Sequence, residues 1–308
     1  MLSQRYPPYS NDKKNYLSKR RFFKKYEHLN PNYKAQADPA YKAQYNYDLR
    51  LIILRHAERV DQFLGQDWYD QVFGGVPSAP SQAYRHPMLP QRLPTRPNTL
   101  LYVFDPPITR TGEQYSTSKG QQLSRVGAIA DYCYSSPASR SVLTANAILK
   151  GMNRTNVPIR LEPYLFEPMN WNSALLLLDQ LNPFMSTAEW KKTGYNIDQR
   201  YHRLNNYINT NENETGYYIR SRNVFDAIER HHGDSLPRVH YGQSPRRRTT
   251  ILIVGHASST EMFSTIALRQ PFDAKELVDQ SAKVSYLHSV VLERDAYTRT
   301  WYLRPFLL

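Results

Sequence analysis

Apolar positions fall into two kinds of stretch along this chain. The first is a short, nearly continuous run, as in Leu49-Arg50-Leu51-Ile52-Ile53-Leu54 and again in Thr250-Ile251-Leu252-Ile253-Val254-Gly255. Such runs suit strands of a parallel sheet covered on both faces. A histidine follows each, His56 after the first and His256 after the second. In open α/β sheets, ligands bind beyond the carboxyl ends of the strands. Two histidines placed alike could therefore converge on one site, although two unrelated buried histidines would leave the same pattern.

The second kind of stretch mixes apolar and polar positions at helical spacing. Ala57 to Phe73 reads as helical, as does Thr109 to Leu123 with Thr111 as its N-cap. Tyr132 to Ser135 is a strand candidate, and Ser139 to Gly151 a helix ending in glycine. Ile159 to Glu162 is a further strand candidate. Residues 172–185 and 217–231 read as helices, and His232 to Arg248 as a polar, basic loop. Ser258 to Arg269 and Ala274 to Ser281 are helix candidates, with Val284 to Leu292 and Thr298 to Leu303 as closing strands. Residues 74–107 are rich in proline and read as a long surface excursion. Strands alternating with helices predict a three-layer α/β/α sandwich over residues 49–308.

Residues 1–48 differ from the rest. They hold eight tyrosines and ten Lys or Arg against four Asp or Glu, with few aliphatic residues. Such a segment buries too little apolar surface to offset its ordering entropy, so it is expected to be a flexible basic extension. It contributes to a formal charge of +13. A basic balance suits nucleic acid, a membrane surface or an anionic substrate alike. Arg246-Arg247-Arg248 adds to the nucleic-acid reading, but no recognition fold or stacking motif accompanies it. The single cysteine, Cys133, rules out an intrachain disulfide and suits a reducing compartment. Its apolar surroundings mark it as a buried small residue. Met1 to Lys14 is polar, so no secretory leader is expected there. No run reaches the roughly 18 apolar residues that cross a bilayer. The expected location is the cytoplasm.

The chemistry concentrates in Leu54-Arg55-His56-Ala57-Glu58-Arg59. A neutral imidazole can attack phosphorus in line, and phosphoryl transfer needs strong positive charge around the moving group. Arginine suits phosphate because its planar fork makes paired, charge-assisted bonds. Arg55 and Arg59 flank the histidine. Ser136-Pro137-Ala138-Ser139-Arg140 follows the Tyr132–Ser135 strand and opens a helix, where backbone N–H groups favour anions. Arg140 lies near the start of that helix. No His/Cys/Asp cluster has zinc spacing.

These residues together resemble the histidine phosphatase superfamily, of phosphoglycerate mutase-like fold. The likeness includes Arg55-His56 after the first strand and Asp105-Pro106-Pro107-Ile108-Thr109 with Gly112. It also includes Ser136, Pro137, Arg140, Thr144 and Ala145, and the late Gly255-His256. Within the superfamily the chain is similar to the phosphatase domain of the suppressor of T-cell receptor signalling (UBASH3) proteins. The residues that carry this are Arg55 through Phe63, Gly65, Trp68, Glu162-Pro163, Phe166-Glu167 and Tyr195-Asn196-Ile197-Asp198. The likeness covers roughly residues 49–308 and leaves out the ubiquitin-binding and SH3 domains of those proteins.

The resemblance implies a phosphomonoester hydrolase working through a phosphohistidine. His56 would be the nucleophile, and Arg55, Arg59, Arg140 and His256 would line the phosphate pocket. Glu167 would act as proton donor and then as base, with Glu162 and Glu58 as alternatives. No metal or cofactor is implied. The substrate would be a phosphotyrosine protein or another bulky phosphomonoester, and relatives with this domain form dimers. Two departures stand out: Ala57 and Ala257 occupy positions where glycine is the commoner residue. They motivate a second reading, a weakly catalytic module that binds phosphorylated partners. A mutase, returning phosphate to an isomer, is a third.

Overall fold

The first apolar run forms the strand β1 (Tyr47–Arg55) of a computed structural model that describes residues 46–172, 175, 182–205, 209–240, 243–245 and 247–304. β1 begins two residues before the expected boundary, because Tyr47 pairs with Asp295 of the antiparallel neighbour across a register shift at Asp48. The extension expected over residues 1–48 otherwise lies outside the described residues. The second run forms β4 (Thr249–Gly255), parallel to β1 with Leu51 opposite Ile251 and Arg55 opposite Gly255.

Four further strands complete a six-stranded sheet: β2 (Tyr132–Ser135), β3 (Ile159–Leu161), β5 (Ser289–Asp295) and β6 (Trp301–Leu303). Their order is β3-β2-β4-β1-β5-β6. The first four are parallel, and β5 and β6 are antiparallel to their neighbours.

Helices cover both faces, which explains why β1 and β4 read as continuous apolar runs. Ile52, Leu54, Leu252 and Val254 face one core. That core is closed by α4 (Arg110–Arg125) and α5 (Ser139–Gly151), after three short helices: α1 (Val60–Leu64), α2 (Trp68–Phe73) and α3 (Leu101–Phe104). Leu49, Leu51, Ile53, Ile251 and Ile253 face the opposite core. There they meet α7 (Glu214–Gly233) and α8 (Ala257–Ala267), which follow α6 (Thr187–Lys192) and precede α9 (Ala274–Ser281). The expected three-layer sandwich is the observed one. Where α4 and α5 cross, Gly120 and Gly151 let the two backbones touch; a Cβ on either would collide with the partner helix's carbonyl.

Four local expectations differ from the structure, one being the strand expected from Val284, which begins only at Ser289 after a turn. The segment Ala57–Phe73 is two helices rather than one, broken at Gly65, whose φ of 86° suits glycine. The N-cap of α4 is Thr109 rather than Thr111: its hydroxyl accepts from the Gly112 N–H at 2.8 Å. The proline-rich stretch 74–107 is no mere surface excursion, since Leu89, Leu93, Arg96, Tyr102 and Asp105 are buried within it. Most of the helix expected over 172–185 lies outside the described residues.

Candidate active site

The carboxyl ends of β1 and β4 deliver both histidines to one place. His56 directly follows β1, and its N–H bonds to the Gly255 carbonyl at 3.0 Å. His256 directly follows β4, and its N–H bonds to the Ser259 hydroxyl at 2.9 Å. A Cβ at position 255 would lie 2.4 Å from that hydroxyl, so a larger residue there would have to displace the Ser259 side chain. The two imidazole rings lie 5.4 Å apart, edge to face at 73°. The expected convergence of His56 and His256 is therefore real.

Helix α5 contributes the central cation. Arg140, 2% exposed, stands in its first turn. Its Nη2 meets Glu167 Oε1 at 2.5 Å and His256 Nδ1 at 3.4 Å. The helix start is held by Asp105, which accepts from the Ser139 N–H and hydroxyl at 2.8 and 2.6 Å and lies 3.9 Å from Arg140 Nη1. Thr144 ties α5 to the residue after His56: its hydroxyl accepts from the Ala57 N–H at 2.9 Å and donates to the Arg140 carbonyl.

The protonation of His56 follows from its partners. Its Nδ1 lies 2.8 Å from the Ala57 carbonyl oxygen, which can only accept. Nδ1 therefore carries the proton and Nε2 keeps a lone pair. Burial, with Arg140, Arg55 and His256 adding to it, holds the ring's pKa well below the ordinary histidine value. The imidazole is neutral near pH 7. His256 is shifted the same way, by burial first and then by Arg140 and Arg220. Its Nε2 lies 2.9 Å from the Ser136 hydroxyl.

The three candidate carboxylates occupy different settings. Glu162 is fully buried and accepts from the Tyr164 and Leu204 N–H groups and the Tyr201 hydroxyl, bracing its own loop. Glu58 accepts from the Thr109 hydroxyl at 3.0 Å, and burial raises its pKa. Glu167 is the one of the three in contact with both Arg140 and His256, the latter at 3.5 Å. Burial disfavours its charge, but Arg140, His56, Arg59 and Arg55 outweigh that and lower its pKa.

The other two arginines stand at the rim. The Arg55 guanidinium lies 4.3 Å over the Tyr286 ring and donates to the Val284 carbonyl. Arg59 forms a forked pair with Asp61, at 2.9 and 2.5 Å. The expected phosphate ligand is thus engaged by a carboxylate of its own.

Sequence reasoning missed several supporting residues. Arg220 of α7 donates to the carbonyls of Tyr164, Phe166 and Glu167 while paired with Glu212, and so fixes the backbone that presents Glu167. No motif marks an arginine inside a helix for that task. Asp105 and Ser136 lay inside quoted motifs without a role, and Tyr286 had no signal at all. The two alanines prove benign in backbone terms, since neither has a positive φ. Ala57 is fully buried in the core facing α4, where a Cβ on Gly112 would lie 3.2 Å from its methyl. Among the described residues, no group of three or more His, Cys, Asp or Glu side chains is placed to hold a metal ion.

A doubly covered sheet with two histidines and a buried arginine at its carboxyl end defines the phosphoglycerate mutase-like class. The chain has that phosphoglycerate mutase-like fold. It is 30% identical over 260 residues to human ubiquitin-associated and SH3 domain-containing protein B, covering 82% of this chain and 37% of that protein. To the mouse protein A of the same name it is 32% identical over 154 residues, 49% of this chain and 23% of that one. To the ecdysteroid-phosphate phosphatase of Bombyx mori it is 33% identical over 150 residues, 48% of this chain and 21% of that one. A crystal structure of the Bombyx mori ecdysone phosphate phosphatase, in complex with tungstate, superposes with a TM-score of 0.64 at 23% identity. That likeness covers 82% of this chain and 91% of the other. The chain thus spans well under half the length of the curated relatives it matches. No family model matches it.

Proposed function

We propose that the chain is a phosphomonoester hydrolase that works through a phosphohistidine on His56. One observation carries this reading: a neutral histidine with a free Nε2 lone pair stands among Arg140, Arg55 and His256 at the end of the sheet. In the first step Nε2 bonds to phosphorus as the ester P–O bond breaks. Glu167 gives its proton to the departing oxygen. In the second step Glu167 takes a proton from water, the water oxygen bonds to phosphorus, and the N–P bond breaks. The arginines offset charge on the transferring phosphoryl group throughout.

Glu167 needs a proton before it can act as an acid, and its pairing with Arg140 opposes that. A phosphate dianion held by Arg140 would compete for the same guanidinium and place negative charge beside the carboxylate. Both effects raise the pKa of Glu167 toward the working range. Substrate binding thereby arms the acid.

The name of the ecdysteroid-phosphate phosphatase favours a bulky phosphomonoester as substrate, and a phosphotyrosine protein is the finer reading. The reading also includes a cytoplasmic location, consistent with the single cysteine buried at position 133, and a homodimer. Nucleic acid and membranes are left out of it. Of the basic run, Arg246 lies outside the described residues, and Arg248 stacks 5.0 Å over Tyr47. No helix of the described residues is long and apolar enough to cross a membrane. The test is hydrolysis of para-nitrophenyl phosphate, without added metal, by the parent chain and by His56→Ala. Turnover that vanishes in the variant is expected. Equal rates in both would overturn the proposal.

A further inference from the structure

We propose that Tyr286 is a specificity-determining residue, the wall against which the leaving group of an aromatic phosphomonoester lies. The inference deepens the phosphatase reading and rests on it for the identity of the ligand.

The turn that holds Tyr286 is unusual. Leu287 has φ 57°, in the left-handed region that a bulky side chain rarely adopts. Such conformations persist where surrounding structure enforces them, and they gather at functional sites. Here the enforcement comes from the nucleophile strand. The Arg55 N–H bonds to the His288 carbonyl at 2.9 Å, and the Leu287 N–H to the His56 carbonyl at 3.4 Å. The Arg55 guanidinium also donates to the Val284 carbonyl. Leu287, His288 and Val284 are thus hydrogen-bonded to Arg55 and His56, on either side of Tyr286.

The result is an aromatic ring fixed over the site. Tyr286 lies 5.7 Å from the His56 ring, tilted at 47°, with Arg55 on one face. Phe166 and Phe184 make a second aromatic group beside His256, but Phe166 is sealed in the interior. Tyr286 is only partly buried, so part of its surface is open to a ligand held at His56. Burial keeps its phenol protonated despite Arg55 and Arg59, so the wall adds no negative charge to repel a phosphate. An aromatic leaving group gains from ring-to-ring contact there; a short alkyl group gains little.

The test is calorimetric titration with phenylphosphonate and methylphosphonate, two unhydrolysable anions that differ in the group beside the phosphorus. The parent is expected to bind the phenyl compound about tenfold more tightly. Tyr286→Phe keeps that ratio. Tyr286→Leu, or Tyr286→Met if the first does not fold, brings it to within about twofold of unity and leaves methylphosphonate binding unchanged. An unchanged ratio in the aliphatic variant, an equal loss for both ligands, or a parent that binds neither would overturn the proposal. Turnover is measured separately. A parent that cannot hydrolyse phosphate esters yet shows the expected ratios would sink the phosphatase reading and leave the wall standing.

Discussion

Two buried groups of arginines and carboxylates occupy opposite ends of β1, and they differ in one respect. At the amino end, Asp48 and Glu293 are sealed at 0% exposure. Asp48 is shared by Arg294 and Arg299, and Glu293 by Arg50 and Arg304. At the carboxyl end, Glu167 and Asp61 are 18% and 17% exposed, and each has a single close arginine, Arg140 and Arg59. The chemical pairs are the same. A sealed, shared carboxylate admits no substitute and can only hold the fold. A carboxylate open to solvent can give up its arginine to an incoming phosphate, which is the part the proposed function gives to these pairs.

Removing a sealed carboxylate should show the largest effect. Asp48→Ala leaves Arg294 and Arg299 beside a buried gap and is expected to cost about 3–5 kcal/mol in urea unfolding. Folded molecules should keep their kcat. A loss under 1 kcal/mol would erase the distinction between the two ends.

The opposite outcome is expected for Glu167→Gln. Stability should hardly change, while kcat falls by about 10²–10³ with an alkyl phosphate. The loss should be smaller with para-nitrophenyl phosphate, whose leaving group needs little protonation. Equal losses on both esters would show that Glu167 is not the acid.

A third test uses acid. Burial, helped by His231, Arg160 and Arg247, pulls the His232 pKa down to about 3. The unfolded chain takes up that proton near pH 6.5, so acid favours unfolding. The stability concerned is complete above about pH 6.5 and is lost progressively as pH falls toward 3. At pH 5.5, His232 alone should account for about 1 kcal/mol. His232→Gln should flatten the pH dependence of unfolding by that amount, while an unchanged slope would mean that His232 is protonated in the fold.

The smallest effect sharpens the comparison at its weak point. Asp61→Asn loosens Arg59 and should lower the KM for a phosphomonoester about threefold, since a partly exposed pair is worth under 1 kcal/mol. A raised KM would mean that Asp61 aims Arg59 rather than occupying it.

The legible parts of the molecule were those in which one physical demand governs several neighbouring residues. β1 and β4 need apolar side chains on both faces, so each reads as a nearly continuous run, and the histidines after them follow from sheet geometry. The start of α5 was visible for a similar reason, in a strand, a turn and an arginine close together. Glu58, Glu162 and Glu167 look alike in sequence, because only the fold decides which of them meets Arg140. Thr111 read as the cap of α4, whereas the hydroxyl that reaches the Gly112 N–H is that of Thr109. The stretch 74–107 hid buried Leu89, Leu93 and Tyr102 among prolines at irregular spacing. Arg220 and Tyr286 act through contacts more than 50 residues away in sequence, at positions that no local pattern singles out.

The central claim is that the phosphoryl group passes through His56. It is tested most directly by mixing the chain with a labelled phosphomonoester, quenching in alkali within one turnover, and locating the label by peptide mass spectrometry. The account predicts label on the peptide holding His56, stable to alkali and lost in acid, and accumulating further in Glu167→Gln. Undiminished hydrolysis with no label on His56, or with label on another residue, would contradict it.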